Sequence, residues 1–587
     1  MFQKNDSHAQ EQLFSPVKEL PAGAREKLEN HWSTHFYEHV FTQIDEDKFG
    51  VLYHEGYSRP NKPVNELVSL EIIKHLMDLS DEELEYAYLF DFRVRNALGK
   101  EALGDNICQK TFTNFRRRLM EFEEETGRDL LHEVFEDHRA YLMDEFDIDG
   151  STQRMDSTYI EANIKQLSRV DLIAKVLHNF LTDLPAEIGE ELPAGMDRFA
   201  DVENLSLSYQ LEPDEVSSTI DTLIEHTAWL VDRFEDKPEY ASLESFAHLE
   251  RVLDEQCYRI TELESDDTDE DDDDDEEQSN PGDGSPGWKP LREFESIEAE
   301  KQHESTTDDG SSELETSNDR VGLKEPDEVG SGSLQHPHDD EATYREKDEE
   351  DFFGYKANVA ETCDGDNPFR VITAVRADTN NTPDGELLED DVPELPNETG
   401  LEDLLVDGGY ADHDVEALCE EYGITQHFSG IPGEQPAEDK ISLADAEWER
   451  NRMVACPAGH EPFDQRYLPE SGRYSGKMDK SLCSNCPLEE NCFVQEKVQY
   501  YAYGFYERRL EVAQRRKRLS DPEEELLQLR AGAESLVHEV YHQDREKTKF
   551  TGKIKVKNAS VAKAIGTNLK RASRFLESEA QAKKSVG

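Results

Sequence analysis

Long apolar runs, cysteine and basic residues are all scarce in this sequence. No stretch of 18 or more apolar residues occurs, which argues against a transmembrane helix, and the first residues, MFQKNDSHAQEQ, lack the basic start and apolar core of a signal peptide. We therefore expect a cytoplasmic protein. The eight cysteines are too few for a disulfide framework in a chain of 587 residues, so clustering among them would indicate a metal site.

Acidic residues greatly outnumber the basic ones. Lys and Arg number 63 against 134 Asp and Glu, which gives a formal net charge of −71. The excess extends into predicted helices such as residues 81–85, so a single acidic tail does not account for it. A charge of this size suggests a halophilic source, because at 1 M salt the Debye length falls to about 3 Å and self-repulsion is screened.

The first 150 residues predict a helical domain that contacts DNA. Amphipathic runs occupy residues 64–77 and 81–90. A further predicted helix, residues 110–119 (KTFTNFRRRL), places three arginines beside two phenylalanines in an acidic surround. Contact with DNA phosphates and pairing with nearby acids explain this pattern about equally well for Arg116, Arg117 and Arg118.

Two aspartates lie in strand-like segments that predict one site. Asp156 lies in RMDSTYIEAN, and residues 151–165 predict the first strand of a sheet. Asp407 follows three apolar residues in LLVDGGY and precedes two glycines. Ligands of open α/β sheets collect where a buried strand ends in a turn, so we expect both carboxylates to face the same site.

Residues 351–450 continue the predicted sheet. Two strand-like runs, FFGYKANVAET and FRVITAVRADT, flank the turn-like CDGDNP and predict a hairpin. The strand that ends at Asp407, a helix over residues 415–422 and a strand over residues 424–431 follow. This order predicts an α/β fold with a mixed sheet flanked by helices.

Two segments interrupt the predicted sheet after its first strand. Residues 166–264 have helical patterns without a catalytic motif and predict an inserted helical subdomain. Residues 265–350 predict a disordered acidic linker, because eleven of the twelve residues at 266–277 are acidic and such a composition cannot bury enough apolar surface to fold.

Half of the cysteines cluster in residues 451–500, which predict a cysteine-rich zinc module. Cys483 and Cys486 have the C-x2-C spacing of a zinc knuckle. Four protein ligands would close the site and make it structural, with His460 as a substitute ligand; four buried or free thiols are the alternative. The candidate zinc ligands are Cys456, Cys483, Cys486 and Cys492.

Phosphodiester chemistry with bound metal needs a third acid, and the C-terminal segment, residues 501–587, offers one. Glu534 lies four residues after Arg530, so in a helix the two side chains share a face. Arg530 would contact a substrate phosphate while Glu534 holds metal, whereas a surface ion pair is the simpler explanation of the spacing. Glu507 and Glu511 are the rival candidates.

The charge balance reverses near the C-terminus. Between residues 545 and 574 ten basic residues accompany one acid, and the lysines of TKFTGKIKVKN alternate as if along one face of a strand or extended loop. A polyanion such as DNA is the natural partner, and a solvated surface is the alternative. The predicted DNA contacts are Lys553, Lys555, Lys557, Lys570 and Arg571.

Taken together, these motifs resemble those of insertion-sequence transposases with an RNase H-like core and an Asp-Asp-Glu (DDE) triad. The resemblance rests on the order and combination of YSRP, LSDEEL, MDSTYIEAN, GYKA, VDGGY, CPAG, the C-x2-C pair, R-x3-E and NLKR. Related transposases carry a Tyr before the Arg and a Lys after the Glu of the third-acid motif, where this chain has Leu527 and Tyr541.

The resemblance implies that Asp156, Asp407 and Glu534 bind two Mg²⁺ or Mn²⁺ ions and direct cleavage at the ends of a mobile element, followed by strand transfer. It also implies double-stranded DNA as partner, both the terminal inverted repeats and the target, and a homodimer that joins two ends. The alternatives are a catalytically inactive DNA-binding or regulatory descendant of such an enzyme, and a nuclease that cuts without joining.

Overall fold

The structure is a computed structural model that describes residues 2–5, 7–9, 20–53, 60–100, 106–185, 192–193, 195–196, 199, 207–212, 214–260, 320–347, 350–429, 440–469, 471–518, 528–530, 532–541 and 547–586. No helix in these ranges is both long enough and apolar enough to cross a membrane.

The described helices and strands alternate along the chain. The helices are α1 (Ala22–Glu29), α2 (Trp32–His39), α3 (Val64–Leu76), α4 (Asp81–Phe90), α5 (Phe92–Ala97), α6 (Gln109–Thr126), α7 (Leu130–Glu145), α8 (Arg169–Asp183), α9 (Val216–Phe234), α10 (Pro238–Ala241), α11 (Glu244–Gln256), α12 (Asp384–Glu389), α13 (Leu395–Thr399), α14 (His413–Glu421), α15 (Lys480–Cys483), α16 (Glu507–Arg518), α17 (Ala533–Tyr541) and α18 (Lys553–Val586). The strands are β1 (Thr152–Glu161), β2 (Cys257–Ile260), β3 (Arg320–Leu323), β4 (Thr343–Lys347), β5 (Glu350–Thr362), β6 (Ile372–Thr379), β7 (Asp403–Val406), β8 (Thr425–Phe428), β9 (Glu447–Glu449), β10 (Arg452–Ala455), β11 (Asp464–Leu468), β12 (Arg473–Asp479), β13 (Gln495–Glu496) and β14 (Tyr500–Tyr506).

A six-stranded mixed sheet forms the centre of the molecule. β5 pairs antiparallel with β1 on one side, and on the other side first with β4 and then with β6. β7 pairs parallel with β1, and β8 pairs parallel with β7. The predicted mixed sheet flanked by helices is therefore confirmed, as is the hairpin of β5 and β6, in which Val359 lies opposite Val375.

The N-terminal helices and the sheet share one hydrophobic core. Phe112 and Phe115 of α6 belong to the same buried cluster as Val359 of β5, Val375 of β6 and Ile565 of α18. The predicted helical N-terminal region is present, but its apolar faces are covered in part by elements from the C-terminal half of the chain. Helix α18 packs against α3, α7 and β6 and so joins these layers.

The C-terminal basic segment is a helix, which corrects the prediction of a strand or extended loop. The alternation of lysines at the start of α18 covers only about five residues, whereas Val561, Ile565, Leu569 and Ala572 continue at helical spacing and are buried. Burial of this longer apolar stripe outweighs the short alternating pattern.

The helical insertion has a core of its own. Helices α8, α9 and α11 bury Leu177, Phe180, Leu223 and Leu249 against one another. The insertion ends in β2, which pairs antiparallel with β3.

The predicted linker extended too far toward the C-terminus. Residues 320–347 form β3, a turn region and β4, and they bury Leu334 against the insertion and Ala342 against the sheet. This acidic segment is ordered because a few of its apolar residues pack against residues far away in the sequence. The average composition of the segment does not reveal such contacts. The rest of the predicted linker, residues 261–319, lies outside the described residues.

A second, smaller antiparallel sheet carries the cysteine-rich segment. Its strand order is β11-β12-β14-β13, and Tyr474, Tyr503 and Phe505 form its aromatic core with ring centroids 5.4–5.8 Å apart. Helix α16 follows β14 directly and packs on this module.

Candidate active site

Parallel pairing of β1 with β7 brings the first two predicted acids together. The register places Arg154 opposite Leu405, and two residues further along each strand are Asp156 and Asp407. Asp407 directly follows the last residue of β7, where apolar residues give way to Gly408 and Gly409. The register therefore places Asp156 and Asp407 on adjacent strands, just beyond the point where the parallel pairing ends.

Asp156 is almost fully buried, with 9 % of its surface exposed. Its Oδ1 accepts a hydrogen bond from the backbone N–H of Ser157 at 3.0 Å and lies 3.4 Å from Nη2 of Arg530. Burial raises the pKa of Asp156, the charges of Asp407 and Asp384 add to this effect, and Arg530 opposes it. Burial and the neighbouring acids therefore disfavour the ionised form of Asp156, and a bound cation would stabilise that form.

Asp407 caps a short turn beside this carboxylate. Its Oδ1 accepts a hydrogen bond from the N–H of Gly409 at 2.7 Å, which orders the 3-10 turn from Gly408 to Tyr410. Tyr410 is fully buried below the acids, and its hydroxyl donates to the side-chain oxygen of Asn358 on β5. The turn after β7 is thus fixed both at its carboxylate and at its aromatic residue.

Asp384 is a further carboxylate at this site that the sequence analysis missed. It is the first residue of α12, and its carboxylate lies 3.1 Å from Nζ of Lys356 on β5. In the sequence it is one of several acids in PDGELLEDD, and only its position directly after a proline that closes the β6 turn distinguishes it.

Glu534 lies in the first turn of α17, and its side chain is exposed. This helix packs against β1, and Arg530, one turn earlier, contacts Asp156. Two groups of three potential metal ligands among the described residues have all their ligand atoms within 4.8 Å of one another, and neither contains Glu534. They are Glu136 with Glu394 and Glu398, and Glu244 with His248 and Asp340. Glu534 thus lies on a helix that packs against β1, but it does not form a compact ligand group with Asp156 and Asp407.

The rival acids belong to a different part of the molecule. Glu507 begins α16 and accepts a hydrogen bond at 2.6 Å from the hydroxyl of Tyr467 in the small sheet. Glu511 lies one turn further along the same helix. The same helix approaches the turn after β7 through Arg515, which donates to the backbone oxygen of Ala411 at 3.1 Å.

A buried ion-pair network holds α17 against the sheet. Arg154 of β1, 2 % exposed, donates from Nε to Oε1 of the fully buried Glu361 at 2.7 Å and from Nη1 to the backbone oxygen of Leu529 at 2.6 Å. The other oxygen of Glu361 lies 2.8 Å from Nη2 of Arg571 on α18, which also contacts Glu539 of α17. Four charged side chains thus fix the helix of Glu534 relative to Asp156.

The four clustered cysteines line one cavity. They are reduced, and His460 and Met478 lie in the same lining. Burial raises the pKa of Cys483 to about 11, and the negative charges of the other three thiolates contribute. The four cysteines in the lining are Cys456, Cys483, Cys486 and Cys492. No three of these sulfurs are among the compact ligand groups within the described residues.

Most of the predicted DNA-contacting side chains have acidic partners within the chain. Arg116 contacts Glu71 and Asp81, and Arg117 contacts Glu121. Arg118 lies over the ring of Tyr53, and Lys555 and Lys570 are half-buried. The acidic partners of the remaining residues are Asp378 for Lys553, Glu123 and Asp129 for Lys557, and Glu361 and Glu539 for Arg571.

Fold and site define a mixed α/β protein with a pair of aspartates on adjacent parallel strands, one within β1 and one directly after β7. Comparison with protein families adds two matches: residues 455–573 match the transposase DDE domain, and residues 25–118 match the transposase domain called DUF772. The first match spans the cysteine module, α17 with Glu534, and most of α18. Both matches support a transposase. The comparisons with curated proteins and with solved structures give no match.

Proposed function

We propose that this protein is a DDE transposase that cleaves DNA at the ends of an insertion sequence and transfers the cut strand to a target. The observation that carries the proposal is the adjacency of Asp156 and Asp407 across the parallel pair β1 and β7. Two transposase matches, one on each side of this pair in the sequence, support it independently.

The sheet supports an RNase H-like core. Its strands follow the order β6-β5-β1-β7-β8, with β5 antiparallel to its neighbours and β1, β7 and β8 parallel. This is the arrangement that the resemblance implies, with the first acid on the central strand and the second at the end of the adjacent parallel strand.

The donor set fits Mg²⁺ or Mn²⁺. Carboxylate oxygens are the ligands that these hard cations prefer, and Asp156 and Asp407 offer them from adjacent strands. Asp156 and Asp407 would hold metal together, with Glu534 completing the set from the first turn of α17. Bound metal would supply charge neutralisation at the reacting phosphodiester and activation of the attacking oxygen.

The residues of the chain orient the substrate around this centre. Arg530 is 9 % exposed and its Nη2 lies 3.4 Å from Oδ1 of Asp156, so its guanidinium is placed to bind a phosphate oxygen next to this acid. The Arg154 and Glu361 network would keep Arg530 and Glu534 in register with Asp156 during the reaction.

We further propose a structural zinc ion bound by Cys456, Cys483, Cys486 and Cys492. Four soft sulfur ligands around one cavity suit Zn²⁺, and metal binding would deprotonate the thiols. The proposed partners are double-stranded DNA, as element ends and target, and a second copy of the chain. With a net charge of −71, DNA contacts would be confined to local basic groups, and the exposed Arg117 could exchange its partner Glu121 for a phosphate.

The test is cleavage of a labelled duplex that carries the inverted repeats flanking the element, in high salt with Mg²⁺ or Mn²⁺. Asp407→Asn and Glu534→Gln should each lower the cleavage rate at least about 10²-fold, while Glu420→Gln, an exposed acid on α14, should leave it unchanged. Loss with Asp407→Asn alone would move the third acid to Glu507 or Glu511.

Binding without cutting is the outcome that would favour the regulatory alternative. If wild-type protein binds the element ends specifically but does not cleave them, the proposed enzyme is refuted. A strand-transfer assay with pre-cut ends separates a transposase, which joins them to target DNA, from a nuclease, which does not.

A further inference from the structure

The carboxylate of Asp384 approaches the same point in space as that of Asp407. A Cβ atom on Gly409 would lie 2.8 Å from Oδ2 of Asp384 and 2.9 Å from Oδ1 of Asp407. Both oxygens are therefore within 3 Å of one position at the end of β7. Glycine leaves this position open, and the two carboxylates lie on either side of it.

A buried lysine fixes one oxygen of Asp384 and leaves the other directed at the site. Lys356 of β5 is 1 % exposed, and its Nζ donates to Oδ1 of Asp384 at 3.1 Å and to the backbone oxygen of Thr382. Because Lys356 holds Oδ1, the orientation of Oδ2 toward Gly409 is set by the core of the sheet.

The geometry at Gly409 concerns Asp384 and Asp407. Asp156, Asp384 and Asp407 are not among the groups of described residues whose ligand atoms all lie within 4.8 Å of one another. A bound cation would therefore have to draw the carboxylate of Asp156 toward the other two.

An unpaired donor in the same place indicates a missing ligand. Nε of Arg530 has no hydrogen-bond partner among the described residues, although the side chain is nine-tenths buried and its Nη2 lies beside Asp156. A buried N–H without an acceptor is costly unless a ligand supplies the oxygen. A phosphate oxygen or a metal-bound water would do so.

We infer that Asp384 is a fourth carboxylate of the active site and binds the divalent cation together with Asp156 and Asp407. The inference rests on the proposed function, because it assigns a further ligand to the same metal centre. Lys356 is the positioning residue that aims Oδ2 of Asp384 at the cation. Three aspartates on the sheet side would then form the centre before Glu534 approaches from α17.

The test measures Mn²⁺ binding by the full-length protein without DNA, from the electron paramagnetic resonance signal of free Mn²⁺. Asp384→Asn should weaken Mn²⁺ binding at least about tenfold. Glu386→Gln is the matched control, because Glu386 is an exposed acid in the same first turn of α12, and it should bind Mn²⁺ as the wild type does. Asp407→Asn serves as the reference for the loss of an assumed ligand.

The outcomes separate the two proposals. If Asp407→Asn weakens Mn²⁺ binding and Asp384→Asn does not, the fourth ligand is refuted and the proposed function stands. If neither variant changes Mn²⁺ binding, both fail. Should Asp384→Asn not fold, as judged by circular dichroism without metal, Asp384→Ser, which keeps a small polar side chain at the first position of α12, decides the question, and wild-type Mn²⁺ affinity in it would overturn the inference.

Discussion

Glu136 of α7 is half-buried and has two acidic neighbours. Its carboxylate groups with those of Glu394 and Glu398, and the nearest cationic candidate, Nε2 of His132, is 3.4 Å away. Burial and then the charge of Glu398 raise the pKa of Glu136 from 4.5 to about 7. The folded protein therefore binds this proton more tightly than the unfolded chain, and stability is lost as pH rises from about 4.5 to 7.

Replacing this carboxylate should remove that pH-dependent loss. We expect Glu136→Gln to melt about 2–4 °C above the wild type at pH 8, the shift that about 1 kcal/mol produces in a domain of 150–250 residues, and to match it near pH 4.5. Differential scanning calorimetry across this pH range measures the difference. Asp144→Asn, which neutralises an exposed acid of the same helix, is the control; an equal response of both variants would contradict the prediction.

Single residues are also where the sequence was least informative. The arginines of residues 110–119 were compatible with DNA contact or internal pairing, and the structure pairs Arg116 with Glu71 and Asp81, which lie 45 and 35 residues away. Asp384 could not be distinguished from its acidic neighbours for the same reason. Both assignments depend on side chains that the fold brings together, and no local spacing encodes them.

At the scale of elements, the contact between α17 and β1 depends on one glycine. A Cβ atom on Gly532 would lie 1.9 Å from Nη1 of Arg154, the atom that donates to Leu529. Arg154 cannot move aside freely, because Glu361 holds its Nε and the pair is buried. The helix that carries Glu534 can therefore approach the sheet only with glycine at this position.

Adding one methyl group there should displace the helix. We expect Gly532→Ala to cost about 1–3 kcal/mol of stability and, through a shift of Arg530 and Glu534, about 10²-fold in cleavage rate, while binding to element ends persists. Thermal unfolding, cleavage and DNA-binding assays measure the three effects. Gly365→Ala provides the comparison, since its Cβ would meet nothing within 4 Å. Cleavage at the wild-type rate in Gly532→Ala would show that this contact is dispensable.

Elements with strong local patterns were predicted, and those that depend on distant partners were not. The apolar run before Asp407 and the two runs around CDGDNP became β7 and the hairpin of β5 and β6, as predicted. Residues 320–347 and the start of α18 differ from prediction, because pairing with β2 and β5 orders the first and burial against α3, α7 and β6 orders the second. The register of β1 against β7 also required the fold.

The whole molecule has far more acidic groups than basic groups that could pair with them. Acidic residues outnumber basic ones by 134 to 63, and basic residues such as Lys553 and Lys557 of α18 already pair with acids, so the net charge of −71 has no internal counterpart. The C-terminal end of α6 illustrates the excess, because Glu123, Glu124 and Glu125 lie where the helix dipole also disfavours anions. Self-repulsion of this kind destabilises the compact state at low ionic strength.

Salt should therefore stabilise this protein. Between 0.1 M and 1 M KCl the Debye length falls from about 10 Å to about 3 Å, so the melting temperature should rise as repulsion between surface acids is screened. A double variant, Glu124→Gln with Glu125→Gln, removes two exposed charges at about 0.3–1 kcal/mol each and should melt above the wild type at 0.1 M KCl, with the difference shrinking at 1 M. Thermal unfolding of both proteins across the salt series measures this. A constant difference would mean that packing or helix propensity, and not charge, separates them, and a wild-type melting temperature independent of salt would refute self-repulsion as the limiting factor.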